Sequence, residues 1–484
     1  MAEAGTNQTT YVVSLNEPQD PAAICFGLLA AGFDHPDLSK PFSYLDIGCG
    51  YGLSMAFAAA RYPAGRFLGI DFNPDHKAFS DDLTARAGLG NVEFRAQSFT
   101  AFARESDEKF DFVALHGVLS WVSAAERTEI VKIIKKVLAP DGVVYAGYNA
   151  LAGRAFMMPV RNLLSSFYKR QEGKTEARVE AALQEVNRCF EWGRGNFSNA
   201  YMRNLIRSLE DKDYHYVYHE YMADDWTLFS LPEMAALFDG AGIRFAASVD
   251  LLEAMDDLLF EPQLRAGLER MDDVVMREAV KDCLLQKQLR KDIFLKTPHR
   301  IKADEQRRRL KGWTLRPRVA ADLLNFEKPM GMGSRRVSLP RQPAADLFQA
   351  IDGGAFDWRE LEKQLPDTDE FNRTLAAIRR LVAFEDLFVT FTDGLEPARC
   401  KALNAVLEGL ALEGWAVPHR LAPLSGVAAV MGPPQSLFAH ALSTGVDPLR
   451  HARAVLGKAS PQDLEAALAK FHQNAEPFRK IGFF

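Results

Sequence analysis

Cysteine is scarce in this chain. There are five (Cys25, Cys49, Cys189, Cys283 and Cys400) in 484 residues, and no two form a C-x-x-C pair. That spacing excludes a disulfide framework and a structural zinc site, and it fits a reduced, cytoplasmic protein. Neither sign of charge dominates: the net charge of −6 gives no global reason to bind nucleic acid. Long apolar runs are also missing. The longest early one, around Ala22 to Ala31, is too short to span a bilayer. The opening M-A-E-A-G-T-N-Q has no basic-then-apolar pattern of a secretory signal, and no internal repeat is evident. What remains is an ordinary globular composition, 48% hydrophobic and 25% charged, with no call for long disorder. A chain this long divides into roughly two or three domains.

The first 150 residues alternate between two periods. Short apolar runs at 43–48, 66–71, 92–96, 110–115 and 143–148 read as strands. Between them lie helical stretches at about 52–62, 74–87 and 124–138, with Pro74 at a first-turn position and a P-D-G turn at 140–142. Such alternation predicts a parallel sheet covered on both faces, with ligands gathering at the carboxyl ends of its strands.

At the end of the first strand stands Y-L-D-I-G-C-G-Y-G, residues 44–52. The second strand ends F-L-G-I-D, with Asp71 last. Alternating glycines let a backbone come very close to a ligand, and a carboxylate at the next strand tip can accept from both hydroxyls of a ribose. The pattern D-x-G-x-G-x-G (Asp46, Gly48, Gly50, Gly52) differs from the G-x-G-x-x-G of dinucleotide sites. Asp46 would repel a pyrophosphate and welcome a cation. The run resembles the first motif of class I S-adenosylmethionine-dependent methyltransferases, whose cofactor, S-adenosyl-L-methionine, carries a sulfonium and an amine and no phosphate. The resemblance implies a Rossmann-like seven-stranded α/β sheet. It also implies cofactor contacts from Asp46, Gly48, Cys49, Gly50, Gly52, Asp71, Phe72 and His116. Gln97 and Ser98 stand where many such enzymes place an acid against the adenine amine, and an amide oxygen can accept from that amine.

Two further strands are needed, and they are predicted downstream. Residues 229–248 read as capped helix, glycine stop and strand, and K-D-I-F-L-K (291–296) reads as the seventh strand. The S-adenosylmethionine-binding core is therefore expected over 1–150, completed by 225–300. Helical insertions interrupt it at 151–224 and 250–288. The first, polar and amphipathic, suits a lid or a homodimer surface. A basic segment follows. Gln286 to Arg318 holds 12 Lys/Arg against 3 acids, and 301–339 is read as a linker. Its alternative reading is a dock for an acidic surface. Residues 340–394 read as three helices and a strand, an order that resembles a winged helix. With 11 acids against 6 bases over 340–393, it reads as an interaction or architectural module, and no nucleic-acid partner is expected. Residues 395–484 read as an Ala/Leu-rich helical segment with an aromatic tail.

Methyl transfer needs a nucleophile placed against an activated carbon in a dry, aromatic-walled site. After strand four comes H-G-V-L-S-W-V-S (116–123), and after strand five Y-N-A-L-A-G (148–153). His116 is expected at the strand end above the reacting group, Trp121 at the start of the next helix, and Tyr148 and Asn149 in the following loop. These two segments, with H-E-Y-M (219–222) and Q-K-Q-L-R-K-D-I-F-L-K (286–296), resemble bacterial methyltransferases with a methyltransferase regulatory domain. That group includes rickettsial protein-lysine methyltransferases. The resemblance implies a protein substrate modified on lysine side chains, and Tyr11 closing over the cofactor. Where relatives read Y-N-x-x-P-G-W, Ala152 and Arg154 stand instead of the proline and tryptophan.

In Y-H-Y-V-Y-H-E-Y (214–221), Glu220 and Tyr221 could steer and hold a target amine; the plainer reading is an element packed on the sheet. His215 and His219 have metal-ligand spacing but no identifiable third ligand, so no metal is expected. Two other functions stay open: methylation of a small molecule, lipid or glycan, and a non-catalytic scaffold that senses S-adenosylmethionine.

Overall fold

The computed structural model describes residues 13–310 without a break. Beyond them it describes 313–317, 327–329, 336–338, 356–357, 368–391, 394–423, 426–431, 433–456, 460–473 and 479. Tyr11 and the first two helices expected within 340–394 lie outside the described residues.

The core alternates as the apolar runs require: α1 (Pro21–Ala30), β1 (Phe42–Ile47), α2 (Leu53–Arg61), β2 (Gly65–Asp71), α3 (Pro74–Arg86), β3 (Val92–Ala96), α4 (Phe99–Glu105), β4 (Phe110–His116), α5 (Ala124–Val137) and β5 (Leu138–Asn149). Then α6 (Leu151–Arg154), α7 (Met158–Arg170), α8 (Thr175–Glu191), α9 (Ala200–Ser208) and α10 (Tyr214–Tyr221) form the first insertion. The chain returns through α11 (Leu231–Asp239) and β6 (Arg244–Ser248), crosses α12 (Asp256–Leu259), α13 (Pro262–Glu269) and α14 (Val274–Leu285), and ends the sheet with β7 (Leu289–Leu295). The strand order is β3-β2-β1-β4-β5-β7-β6, with β7 antiparallel to both neighbours.

Each central strand is buried on both faces, so alternate residues feed two cores. Tyr44, Phe112, Tyr145 and Ile293 enter one, beneath α1 and α2. Leu45, Val113, Val144, Tyr148 and Phe294 enter the other, against α5 and α11. Capping boxes start α5 (Ser123 with Glu126) and α11 (Ser230 with Glu233), which fixes where each helix begins.

Several expectations change. The P-D-G turn is absorbed into β5: Leu138 pairs with Phe110 and Val143 with Phe112, so the extra residues form a bulge. Helix α4, capped by Ser98, was not expected, because seven residues carry too little periodicity to read. The 301–339 linker contains a helix, α15 (Ala303–Arg309), and a strand, β8 (Trp313–Pro317). Trp313 is 1% exposed and packs on Phe26 and Phe391, so this stretch is anchored in the core.

After short strands β9 (Glu327–Pro329), β10 (Arg336–Ser338) and β11 (Phe356–Asp357) come α16 (Thr368–Ala383) and β12 (Leu387–Phe391). β8 sits between β11 and β12 in one small sheet. Helix α17 (Pro397–Leu412) packs on α2 and α3. A hairpin of β13 (His419–Leu421) and β14 (Ala428–Val430) interrupts the segment read as wholly helical, before helices at Pro433–Thr444, Pro448–Val455 and Pro461–Gln473.

Candidate functional site

The carboxyl ends of β1 and β2 carry the glycine run. Gly48, Gly50 and Gly52 all have positive φ (74°, 54° and 65°), which L-side chains rarely adopt. The space differs among them. A Cβ on Gly48 would lie 2.5 Å from Val118, and one on Gly52 2.5 Å from Phe94, whereas one on Gly50 would meet nothing within 4 Å. Gly48 and Gly52 are thus needed for packing inward, and Gly50 faces open space. The Cys49 side chain turns toward the sheet, where a Cβ on Gly69 would lie 2.8 Å from its sulfur, so only its backbone remains for the loop's outer side.

Asp71 is 9% exposed and held on three sides. Its Oδ2 accepts from Gly50 N at 3.0 Å; its Oδ1 accepts from Asn73 N at 3.0 Å and from His76 Nδ1 at 3.1 Å. Asp46, 3% exposed, accepts from Gln19 Nε2 at 3.2 Å. Gln19 belongs to a single turn, Glu17–Gln19, fixed over the sheet by the buried Tyr44 hydroxyl, which donates to the Gln19 carbonyl at 2.7 Å. Burial pushes the Asp46 carboxyl up to about 7, against the pull of Gln19 and with a further push from the Asp71 charge. A buried acid in that state gains from a cation. At the end of β3, Gln97 Oε1 is buried without a partner while its Nε2 donates to Glu105. Ser98 is occupied in capping α4. Phe72 stands 51% exposed beside Asp71, an apolar ring open for stacking.

His116 ends β4 on the same face as Asp46: Asp46 pairs with Ala114, and Ala114 with Tyr145. Its Nδ1 lies 2.8 Å from the Tyr145 hydroxyl and the two rings stack. Burial, aided by the Lys291 charge, lowers the His116 imidazole to about 4, so it is neutral at physiological pH. A neutral, buried imidazole held by Tyr145 suits a positioning role.

The acceptor side differs from expectation. Tyr148 and Asn149 are the last residues of β5 rather than a loop. Tyr148 is fully buried on the opposite face from His116, and its hydroxyl donates to Asp292 Oδ2 at 2.5 Å. Asp292 is also gripped by Arg290 at 2.7 and 2.9 Å, and Asp282 and Glu253 surround that guanidinium. Asn149 is buried; its backbone N donates to Ser120 Oγ, and its Nδ2 has no partner.

Trp121 lies in the turn before α5, not at its start, and its ring is 6.5 Å from Trp226. Arg161 stacks 4.5 Å over Trp226, whose buried Nε1 is unpartnered. Glu220 pairs with Arg154 at 3.7 Å, which ties α10 to the segment leaving β5; burial raises its carboxyl. Tyr221 is buried in the insertion's own core, where α10 packs, rather than against the sheet. Among the described residues, no group of three or more His, Cys, Asp or Glu side chains is placed to hold a metal.

The structure thus joins the glycine run to Asp71 directly, and adds Gln19, His76 and Tyr145, which sequence reasoning missed. Tyr145 sits in an apolar strand, and nothing local marks it as the partner of His116. The buried Asp46, the open Gly50 and the unpartnered Gln97 oxygen fit a ligand with a cation, a ribose and an adenine amine.

Family models match at residues 45–142, described as a methyltransferase domain, and at 213–296, described as a predicted methyltransferase regulatory domain. The second match contains β6 and β7, so the regulatory segment completes the catalytic sheet. An uncharacterized protein of Synechocystis sp. is 28% identical over 357 residues, covering 74% of this chain and 70% of that protein. An uncharacterized protein of Rickettsia prowazekii is 28% identical over 196 residues, 40% of this chain and 77% of its own. PKMT2 from Rickettsia typhi, solved in complex with AdoHcy, is similar in fold with a TM-score of 0.68 and 17% identity, covering 97% of this chain and 99% of that one. The chain therefore carries a methyltransferase domain and a methyltransferase regulatory domain, on the fold of an S-adenosylmethionine-dependent methyltransferase.

Proposed function

We propose that this methyltransferase modifies lysine side chains of a protein substrate. The observation that carries the reading is the extent of the likeness to PKMT2. It runs over 97% of this chain and 99% of that one, which supports a common architecture beyond the sheet. Five free cysteines fit action in the cytoplasm, and the first insertion offers a surface for a homodimer.

When bound, S-adenosylmethionine supplies a methyl group already activated by its sulfonium. Asp46 supplies the counter-charge to its cationic end, and the glycine run lets the backbone approach. Asp71 accepts from the ribose hydroxyls, Phe72 covers the adenine, and Gln97 Oε1 accepts from its amine with Ser98 alongside. Tyr11 would close from the N-terminal side. His116 Nδ1 and the Tyr145 hydroxyl share a hydrogen bond; in the tautomer with the proton on Nδ1, His116 Nε2 is an acceptor that can hold an incoming neutral amine by its N–H. Trp121 and Trp226 exclude water, which favours the uncharged amine. Glu220 steers a cationic side chain toward Asn149 at the strand end, while Tyr148 and Tyr221 act by holding the frame.

A second reading is favoured by a separate observation. Arg154, Arg161, the Asn149 amide and the Trp226 indole are all donors, and the last two are unpartnered. A small acceptor bearing an acid group would satisfy them. One experiment separates the two: incubate the full chain with methyl-labelled S-adenosylmethionine and a bacterial lysate, then fractionate. Label in protein, located on lysine by mass spectrometry, supports the first reading. Label confined to the small-molecule fraction overturns it in favour of the second.

A further inference from the structure

The cofactor side is reached from an element that the methyltransferase sheet does not supply. Trp415 follows α17, at the far end of the chain from the glycine run. Its ring lies 4.6 Å from Phe79 on α3 and 5.7 Å from Tyr51, the residue between Gly50 and Gly52. Tyr51 in turn packs 4.4 Å from His76 and 5.0 Å from Phe79. His76 is 94% buried by its 6% exposure, and its Nδ1 bonds Asp71, the strand-tip acid.

The contact is braced rather than incidental. Arg399 on α17 donates to the Ala59 carbonyl of α2 at 2.9 Å, and Arg86 on α3 pairs with Glu413 at 3.4 Å. The helix is therefore fixed to both helices that follow the cofactor strands, and Trp415 is delivered at a set height over Tyr51 and Phe79. Stripped of Trp415, which is itself 36% exposed, Tyr51 and Phe79 would face solvent on that side. Tyr51, the ring that lies against His76, would then lose the support that holds it there.

We propose that Trp415 is a positioning residue for the cofactor site, acting through Tyr51 and His76 on Asp71, so that the C-terminal module sets the affinity for S-adenosylmethionine. The inference rests on Asp71 as the ribose acceptor. A less firmly held Asp71 should weaken binding by roughly three- to tenfold.

The test is calorimetric titration of S-adenosylhomocysteine into the full chain carrying Trp415→Ala, Trp415→Phe, Asp71→Asn or, as a surface control, Trp192→Ala. The expected result is a three- to tenfold rise in Kd for Trp415→Ala, near-complete rescue by Trp415→Phe, and no change for Trp192→Ala. In turnover assays the cofactor KM should rise with kcat nearly unchanged. If Trp415→Ala is folded by circular dichroism and binds as tightly as the parent while Asp71→Asn binds weakly, the proposal is wrong and the Asp71 assignment stands. An unchanged Kd in Asp71→Asn removes the assignment itself. If Trp415→Ala does not fold, His76→Phe carries the test: it keeps a ring under Tyr51 and removes the Asp71 bond, and an unchanged Kd there also overturns the proposal.

Discussion

The two halves of the site are built by different means. The cofactor half uses backbone: three glycines with positive φ and a carboxylate held by the Gly50 and Asn73 amides. The proposed acceptor half uses side chains from segments far apart. Tyr148 meets Asp292 and Arg290 some 140 residues on, and Arg154 meets Glu220 from the end of the insertion. A half made of short local backbone can be copied between proteins with little else changed. A half made of long-range side-chain contacts is set by whatever is inserted between its parts, which is where substrate choice can diverge.

That contrast can be broken first at Arg290. Replacing it by Met strands Asp292 and Asp282 without their shared cation, while Glu253 keeps Lys287, and losing one partner of a buried ion pair costs about 3–5 kcal/mol. Urea unfolding should show a loss of that size; a loss below about 1 kcal/mol would mean that the network does not frame the acceptor half.

The next effect is in the glycine run. Gly52→Ala forces a Cβ against Phe94 and Ser80 at positive φ, and it should cost about 2 kcal/mol or more of stability. Gly50→Ala meets no neighbour, so its stability cost should stay near 1 kcal/mol. Yet it should weaken S-adenosylhomocysteine binding at least tenfold if the open side is where the ligand lies. Equal behaviour of the two variants would erase the distinction drawn between them.

Tyr148→Phe is the smallest change. It removes one donor to Asp292, which Arg290 still holds, and should cost about 0.5–1.5 kcal/mol of stability, with kcat per folded molecule altered by less than about twofold. A large fall in kcat at unchanged stability would return Tyr148 to the chemistry.

Legibility in the sequence followed the same divide. The glycines, Asp46 and Asp71 could be read because their meaning lies within one strand-turn. So could β6 and β7, from a capped helix and two apolar runs. Gln19 on Asp46, Tyr145 on His116 and His76 under Tyr51 could not, since each is a contact through space between residues ordinary in their own segments. The P-D-G at 140–142 misled because turn residues also serve in a bulge, and Trp121 because the capping box at Ser123 starts the helix later. Arg154 and Glu220 were visible singly, but nothing local said that they would meet.

Asp46 gives the sharpest test of the cofactor site. Burial raises its folded pKa from an ordinary 3.8 to about 7, so without ligand the folded chain binds this proton more tightly than the unfolded chain. Its charge therefore erodes stability as pH rises from about 4 to 7. A bound cation lowers that pKa again, so binding releases the proton between the bound value and about 7. The decisive measurement is the Kd of S-adenosylmethionine from pH 5.5 to 8.5, for the parent chain and for Asp46→Asn. The account predicts that parent Kd falls by close to tenfold per pH unit up to about 7 and then levels, and that Asp46→Asn binds weakly with no such slope. A flat parent profile, or an Asp46→Asn variant that keeps both affinity and slope, would contradict it.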